Sequence, residues 1–177
     1  MRFLPRNYES HWDRSNVPPL YGTETYEKPL NWLLETCDSI EDWGCGYGYA
    51  RRFVPQSQYF GVDGSPEAAP YADVICDLQD RATEVDGLFI RHILEHNLEW
   101  RPIMENAMKS FKKRFVLILF TPFSRMTVPL AANGLHDLAF CRDDLMAYFE
   151  GCTVTEEHLC TDTQYQVEHI FYVSKES

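Results

Sequence analysis

Short apolar segments alternate with segments of helical periodicity along most of the chain. Strands are predicted at 39–43, 59–62, 72–76, 85–90 and 115–120. The last of these is apolar throughout, which is typical of a central parallel strand buried on both faces. Helices are predicted from Thr23 or Thr25 to about Cys37, from a glycine-rich turn to about Val54, from Pro102 onward, and over 143–150. Two final strands, at about 152–159 and 165–174, are close enough to form an antiparallel hairpin.

Two segments interrupt this alternation. Residues 1–22 are rich in aromatic and proline residues, and we expect them to form a strap or lid packed over the domain. Residues 121–141 are predicted to be a loop of roughly 20 residues, which is longer than most connections and therefore a candidate functional segment.

A glycine-rich turn follows the first predicted strand. Asp42 ends that strand, and Gly44, Gly46 and Gly48 follow at every second position. Glycine accepts a positive φ and lets a ligand approach the backbone closely, and a helix beginning there would direct its free N–H groups at the same point. The pattern indicates a nucleotide-type site. It is not the dinucleotide fingerprint, because Tyr49 occupies the position of the third glycine.

A second acidic residue, Asp63, ends the second predicted strand, about 20 residues after the glycine turn. In an α/β nucleotide site, a carboxylate at this position accepts hydrogen bonds from ribose hydroxyls.

Three segments of this chain resemble those of the class I S-adenosylmethionine (SAM)-dependent methyltransferases. The turn Asp42–Gly48 resembles motif I, 62–66 resembles motif II, and 91–96 resembles a His-x-Leu-Glu-His segment of that family. The resemblance covers about residues 25–175. It implies one Rossmann-like domain, 1–177, with a mostly parallel seven-stranded sheet, helices on both faces and an antiparallel C-terminal strand.

The resemblance also implies the cofactor, SAM, the product, S-adenosylhomocysteine, and the residues that hold them. It places the ribose at Asp63, the adenine beside Asp77 and Leu78, and the methionine end near Asp42 and either Arg91 or His92. The implied cofactor-binding residues are Asp42, Gly44, Cys45, Gly46, Gly48, Asp63, Gly64, Cys76, Asp77, Leu78, Arg91 and His92.

Two histidines are candidate general bases, because ligands of open α/β sheets bind at the carboxyl ends of strands. They are His92, at the end of the fourth strand, and His136, in the loop after the fifth. His96 is interpreted as structural. The expected acceptor is a small molecule or sugar methylated at oxygen, held by the 1–22 and 121–141 segments. Protein or carboxyl methylation and a non-catalytic SAM-binding module remain alternatives.

Composition narrows the partners. The formal charge is −11, and the one basic cluster, at 109–114, is interpreted as a helix C-terminus, so nucleic acid is an unlikely substrate. No apolar run approaches the roughly 20 residues that span a membrane. None of the six cysteines forms a C-x-x-C pair and no carboxylates show metal spacing, so no metal is predicted. A reduced, cytoplasmic compartment fits this pattern, and the oligomeric state is not predicted.

Overall fold

The computed structural model describes residues 22–132 and 135–175, with the side chains of 131–136 excepted. The predicted 1–22 strap lies outside these residues except for Gly22. The strands are β1 (Ile40–Trp43), β2 (Tyr59–Asp63), β3 (Val74–Ile75), β4 (Val85–Arg91), β5 (Phe111–Leu119), β6 (Val128–Ala132), β7 (Leu135–Ala139), β8 (Thr153–Leu159) and β9 (Glu168–Ser174). The α-helices are α1 (Glu24–Leu34), α2 (Trp100–Ser110) and α3 (Arg142–Met146).

Seven strands form one sheet in the order β3-β2-β1-β4-β5-β9-β8. The strands from β3 to β5 in that order are parallel, whereas β9 is antiparallel to both β5 and β8. The predicted fold class is therefore confirmed. The chain crosses from one side of β1 to the other between β3 and β4, and such a switch point opens a crevice at the carboxyl ends of β1 and β4.

Helices cover both faces of the sheet. Successive side chains of its central strands point to opposite faces, and the side chains on both faces are buried. Phe115 and Leu117 of β5 belong to the apolar cluster that contains α2, and Val116 and Ile118 to the cluster that contains α1. This two-sided burial is the physical counterpart of the uninterrupted apolar run at 115–120.

The helix predicted from the glycine turn to Val54 is wrong. The structure has only one 3₁₀ turn there, Tyr49–Arg52. Gly48 is left-handed at φ +68° and Pro55 follows seven residues later, so little chain is available for a regular helix. The glycine turn is therefore not followed by an α-helix whose dipole could act on this site.

The 121–141 segment is not a simple loop. Strands β6 and β7 pair in antiparallel register from Val128↔Ala139 to Ala132↔Leu135, as a separate two-stranded sheet. The sequence contained a signal for this hairpin, because Asn133-Gly134 is a preferred hairpin dipeptide between apolar residues. The helix predicted at 143–150 is also shorter, since α3 gives way to a 3₁₀ turn, Ala147–Phe149.

Within the described part of the chain, no helix has the length and apolar character needed to cross a membrane.

Candidate functional site

A cavity of about 450 Å³ opens at the carboxyl ends of β1 and β4, where the sheet topology predicts a ligand. The glycine turn, the chain after β4, three tyrosines and the β8–β9 loop surround it. Its lining residues are Tyr26, Gly44, Cys45, Gly46, Tyr47, Tyr49, Arg91, His92, Ile93, His96, Phe120, Asp162, Thr163 and Gln164.

The glycine turn is held against β2 and against the chain after β4. The backbone N–H groups of Gly44 and Cys45 both donate to the carbonyl of Val62, at 2.7 and 3.0 Å. Gly44 has φ +78°, and a Cβ placed there would lie 2.1 Å from Cδ1 of Ile93. The absence of a side chain at Gly44 therefore makes room for the side chain of Ile93.

Asp63 fastens the same turn from the end of β2. Its carboxylate accepts the N–H of Gly46 at 2.9 Å and the N–H of Ser65 at 2.8 Å. Burial raises the pKa of Asp63, and the hydrogen bonds from Ser65, Gly46 and Gly64 oppose that rise. Asp63 does not line the cavity, so its predicted contact with ribose stays a prediction.

Asp42 is buried behind the turn, where the hydroxyl of Tyr59 donates to it at 2.6 Å. Burial raises the pKa of Asp42 to about 7, although the hydrogen bond from Tyr59 acts in the opposite direction. Like Asp63, Asp42 is not part of the cavity lining, so it acts on the site through the turn that follows it.

The predicted adenine-side residues lie outside the cavity lining. Asp77 accepts the N–H of Gln79 at 3.0 Å, the carbonyl of Leu78 accepts from Asn106 at 3.1 Å, and Cys76 donates its thiol to the carbonyl of Asp77. These contacts order the chain after β3. Their role in binding adenine stays a prediction.

Cys45 does line the cavity. Burial raises the pKa of its thiol far above the ordinary value, so the group is protonated and is not a nucleophile at neutral pH.

Arg91 ends β4 with its side chain almost fully buried. Nε donates to Thr25 at 3.0 Å, and Nη2 lies 3.2 Å from Oε1 of Glu168, forming a buried ion pair. The guanidinium also stacks over the ring of Tyr26, 4.4 Å from its centroid. Arg91 lines the cavity, and its predicted contact with the cofactor stays a prediction. Much of its hydrogen-bonding capacity is already used by α1 and β9.

His92 has a left-handed backbone, φ +57°, which is uncommon for a residue other than glycine. Its Nε2 lies 2.5 Å from Oε1 of Glu168. Burial and the neighbouring charge of Arg91 lower the pKa of His92 to about 4, so the ring is neutral at pH 7 and donates to the carboxylate. Such local strain is typical of functional sites.

Glu168 was not found by sequence reasoning. It is fully buried, and although burial acts to raise its pKa, the hydrogen bond from His92 and the positive charge of Arg91 bring the pKa below the ordinary value. It is the first residue of β9, and it reaches His92 only because β9 pairs beside β5, with Leu119 opposite His169. No local sequence pattern marks that position.

A second acid–histidine pair was also missed. Nδ1 of His96 lies 3.0 Å from Oδ1 of the buried Asp137, and the hydroxyl of Tyr165 donates to the other oxygen of Asp137 at 3.0 Å. His96 was interpreted as structural, but its ring lines the cavity and lies against Phe120, 5.4 Å between ring centroids. His136 lies beside Asp137 in β7, paired with Ala131, and its side chain is outside the described residues.

Glu95, beside His96 in the chain, supports the same wall from within the core. Its Oε1 accepts the N–H of Phe120 at 2.6 Å. Burial raises the pKa of this carboxyl to about 7.

Comparison with solved structures identifies the fold. The chain is similar to magnesium protoporphyrin IX methyltransferase from Synechocystis with bound SAM, with a TM-score of 0.70 and 15% identity over 98% of this chain and 94% of that one. It is similar to the N-methyltransferase NodS from Bradyrhizobium japonicum in complex with S-adenosylhomocysteine, with a TM-score of 0.67 and 13% identity over 99% and 95% of the two chains. A third similar structure is 1,6-didemethyltoxoflavin-N1-methyltransferase from Burkholderia thailandensis, with a TM-score of 0.64 and 16% identity over 88% and 82%.

The fold is thus that of the class I SAM-dependent methyltransferases, as the motifs predicted. In sequence, no family model matches the chain and no curated protein matches it.

Proposed function

We propose that the protein is a SAM-dependent methyltransferase that transfers a methyl group to the hydroxyl of a small molecule or sugar. One observation carries the proposal: His96 lines the same cavity as the glycine turn, and its Nδ1 lies 3.0 Å from Oδ1 of the buried Asp137. A hydroxyl acceptor requires a base as well as an activated methyl group, and this arrangement provides a base at the cofactor end of the sheet.

The residues present fit SAM. The cavity volume of about 450 Å³ lies within the range of small-ligand sites, about 300–1,000 Å³. Gly44 and Gly46 expose backbone at the cavity, and Tyr26, Tyr47 and Tyr49 form the aromatic part of its lining. When bound, SAM supplies an activated methyl group.

The proposed cofactor contacts follow the motifs. Asp63 would accept from the ribose with the lone pairs that its backbone donors leave, and Asp77 and Leu78 would contact the adenine. Arg91 and His92 would hold the methionine end, since both line the cavity and are fixed by Glu168.

His96 is the proposed base. Oδ1 of Asp137 lies 3.0 Å from Nδ1 of His96, and a proton on Nδ1 directed at this carboxylate would select the tautomer whose Nε2 carries the lone pair. Nε2 would take the proton of the acceptor's hydroxyl, which makes that oxygen nucleophilic. His92 is less suited to this role, because its pKa is about 4 and its Nε2 already contacts Glu168. His136 stays a candidate base on sequence grounds.

Two other functions remain to be separated by experiment: methylation of a protein or carboxylate acceptor, which needs no base, and SAM binding without catalysis. The test begins with calorimetric titration of SAM, S-adenosylhomocysteine and NADH. We expect binding of the first two only. Preferential binding of NADH would contradict the cofactor assignment.

Release of S-adenosylhomocysteine is then measured with panels of hydroxyl, carboxylate and amine acceptors. We expect turnover with hydroxyl acceptors and a loss of about 10²-fold or more in His96→Gln, which removes a general base while keeping a side chain able to hydrogen-bond Asp137. Arg101→Gln, at an exposed position of α2, is the control and should retain activity. SAM binding without turnover on any panel would favour the non-catalytic function.

A further inference from the structure

Two histidines and a glutamate meet on the outer strands of the sheet, away from the cavity. His158 of β8 lies directly opposite His169 of β9 in the antiparallel register, and Glu156 precedes His158 by two residues, on the same face of β8. One potential ligand atom from each of these three residues lies within 4.8 Å of the other two. Nε2 of His158 is 3.3 Å from Oε1 of Glu156, and the two histidine rings approach through their Nδ1 atoms at 2.6 Å.

Two atoms of this cluster are buried without a hydrogen-bond partner. These atoms are Oε1 of Glu156 and Nε2 of His169, and few other buried side-chain atoms of the described residues lack a hydrogen-bond partner. His169 is 93% buried, with the tilted ring of Phe123 packed against it at 4.0 Å between centroids. An unsatisfied buried polar atom is unfavourable, and here an acceptor oxygen and an imidazole nitrogen are unsatisfied together.

The remaining contacts fix the cluster. Arg142 of α3 donates to Oε2 of Glu156 at 2.8 and 2.6 Å, which orients the carboxylate and leaves Oε1 directed toward His158. The side chain of His158 is 56% exposed, so an ion can enter from solvent and a water can complete its coordination.

We propose that Glu156, His158 and His169 form a binding site for a divalent transition metal, with one carboxylate oxygen and one nitrogen from each imidazole as ligands. Two imidazoles with a carboxylate are a donor set that suits Zn²⁺ and its neighbours Co²⁺ and Ni²⁺, whereas Mg²⁺ and Ca²⁺ prefer oxygen donors alone.

The site is separate from the methyl-transfer cavity. Glu168 and His169 are adjacent in β9 and therefore point to opposite faces of the sheet, the first toward Arg91 and His92 and the second toward Phe123. The metal would fix the start of β9 and its pairing with β8 without contacting the acceptor or cofactor. Its predicted role is to stabilise this edge of the fold.

The experiment is a titration of the chelator-treated protein with Co²⁺, followed by its visible d–d absorption, and then displacement by Zn²⁺. We expect one tightly bound equivalent with a tetrahedral or five-coordinate spectrum, and a rise of the melting temperature with Zn²⁺, because a ligand that binds only the folded state stabilises it. His158→Ala, at an exposed position, should weaken Co²⁺ binding at least about ten-fold and remove the thermal shift.

The matched control is Glu157→Gln. Glu157 is adjacent on β8 but faces the other way, where it contacts Lys28 and Tyr172, so its substitution should leave metal binding unchanged. His169→Gln is the second ligand variant, with circular dichroism to confirm that it folds. Absence of one-equivalent binding, equal binding in His158→Ala, or loss of binding in Cys160→Ser would overturn the proposal, the last by assigning the metal to a thiol.

Discussion

Nδ1 of His96 and Oδ1 of Asp137 lie 3.0 Å apart, although 41 positions separate the two residues in the numbering. His96 ends the 3₁₀ turn Leu94–His96 that follows β4, and Asp137 lies in β7 of the added hairpin. The hairpin therefore places a buried carboxylate beside a histidine that lines the cavity.

Asp137→Asn is expected to lower kcat by about 10²–10⁴-fold, the scale of general-base catalysis. The amide can present an N–H to Nδ1 in place of an acceptor oxygen, which favours the tautomer with a protonated Nε2. The measurement is release of S-adenosylhomocysteine with a hydroxyl acceptor, together with calorimetry to show that SAM affinity is retained. ¹⁵N NMR of His96 reports the tautomer independently of any acceptor.

Tyr165→Phe provides the comparison. It removes a hydrogen bond to Asp137 but leaves the carboxylate, so the expected loss of kcat is less than about ten-fold, close to one neutral hydrogen bond. If Asp137→Asn retains near-normal turnover, proximity alone drives the transfer and the acceptor is already ionised.

Gly44→Ala should destabilise the protein strongly. A non-glycine residue in the left-handed conformation costs about 1–2 kcal/mol, and the collision of its Cβ with Ile93 at 2.1 Å adds overpacking of about 1–3 kcal/mol. The measurement is urea denaturation of the variant and the wild type.

Gly151→Ala is the matched control for Gly44→Ala. Gly151 has a similar φ, +81°, but a Cβ there meets no heavy atom within 4 Å. Its substitution should cost only the conformational energy, about 1–2 kcal/mol. Equal losses of unfolding free energy in the two variants would show that a Cβ at position 44 does not disturb the packing of Ile93.

Asp63→Ala should reduce stability as well as SAM affinity. The substitution leaves the N–H groups of Gly46 and Ser65 without their acceptor, at roughly 1–3 kcal/mol for each donor that stays buried. Urea denaturation and calorimetry measure the two effects separately. Asp162→Asn, at the exposed cavity rim, is the control and should alter stability by no more than about 0.5 kcal/mol. A fully stable Asp63→Ala variant would show that the turn does not need this carboxylate.

Glu95→Gln should be more stable than the wild type, and this advantage should be larger at pH 8 than at pH 5. The pKa of Glu95 is about 7 in the folded state and about 4.3 when unfolded, so the native state binds more protons between these values. Wild-type stability therefore falls as pH rises from about 4.3 to about 7 and stays low above that range. Because glutamine does not titrate, its advantage appears as the pH rises.

The measurement for Glu95→Gln is the difference in melting temperature from the wild type at the two pH values. For a domain of this size, each kcal/mol corresponds to about 2–4 °C, and we expect a larger gain at pH 8 by at least about 2 °C. Glu105→Gln, at an exposed position of α2, should show no such dependence. A pH-independent difference for Glu95→Gln would indicate that Glu95 titrates normally.

The sheet and its glycine turn were predictable because their signals are local. The apolar run at 115–120 indicated a strand buried on both faces, and Phe115–Leu119 are indeed buried on both faces. Asp42 and Asp63 were recognised from their positions at strand ends. The overestimated helix after Gly48 and the missed hairpin at β6–β7 show the limit of such signals: the first required the φ of Gly48, and the second was indicated only by Asn133-Gly134.

The acid–histidine pairs depend on register, which the local pattern of the chain does not contain. Glu168 reaches His92 because β9 inserts between β5 and β8 with Leu119 opposite His169. A shift of β9 by one residue would turn Glu168 away from the cavity and bring His169 in its place, since side chains alternate between the two faces of a strand. Periodicity specifies which residues are buried, whereas the pairing of distant strands decides which buried groups meet.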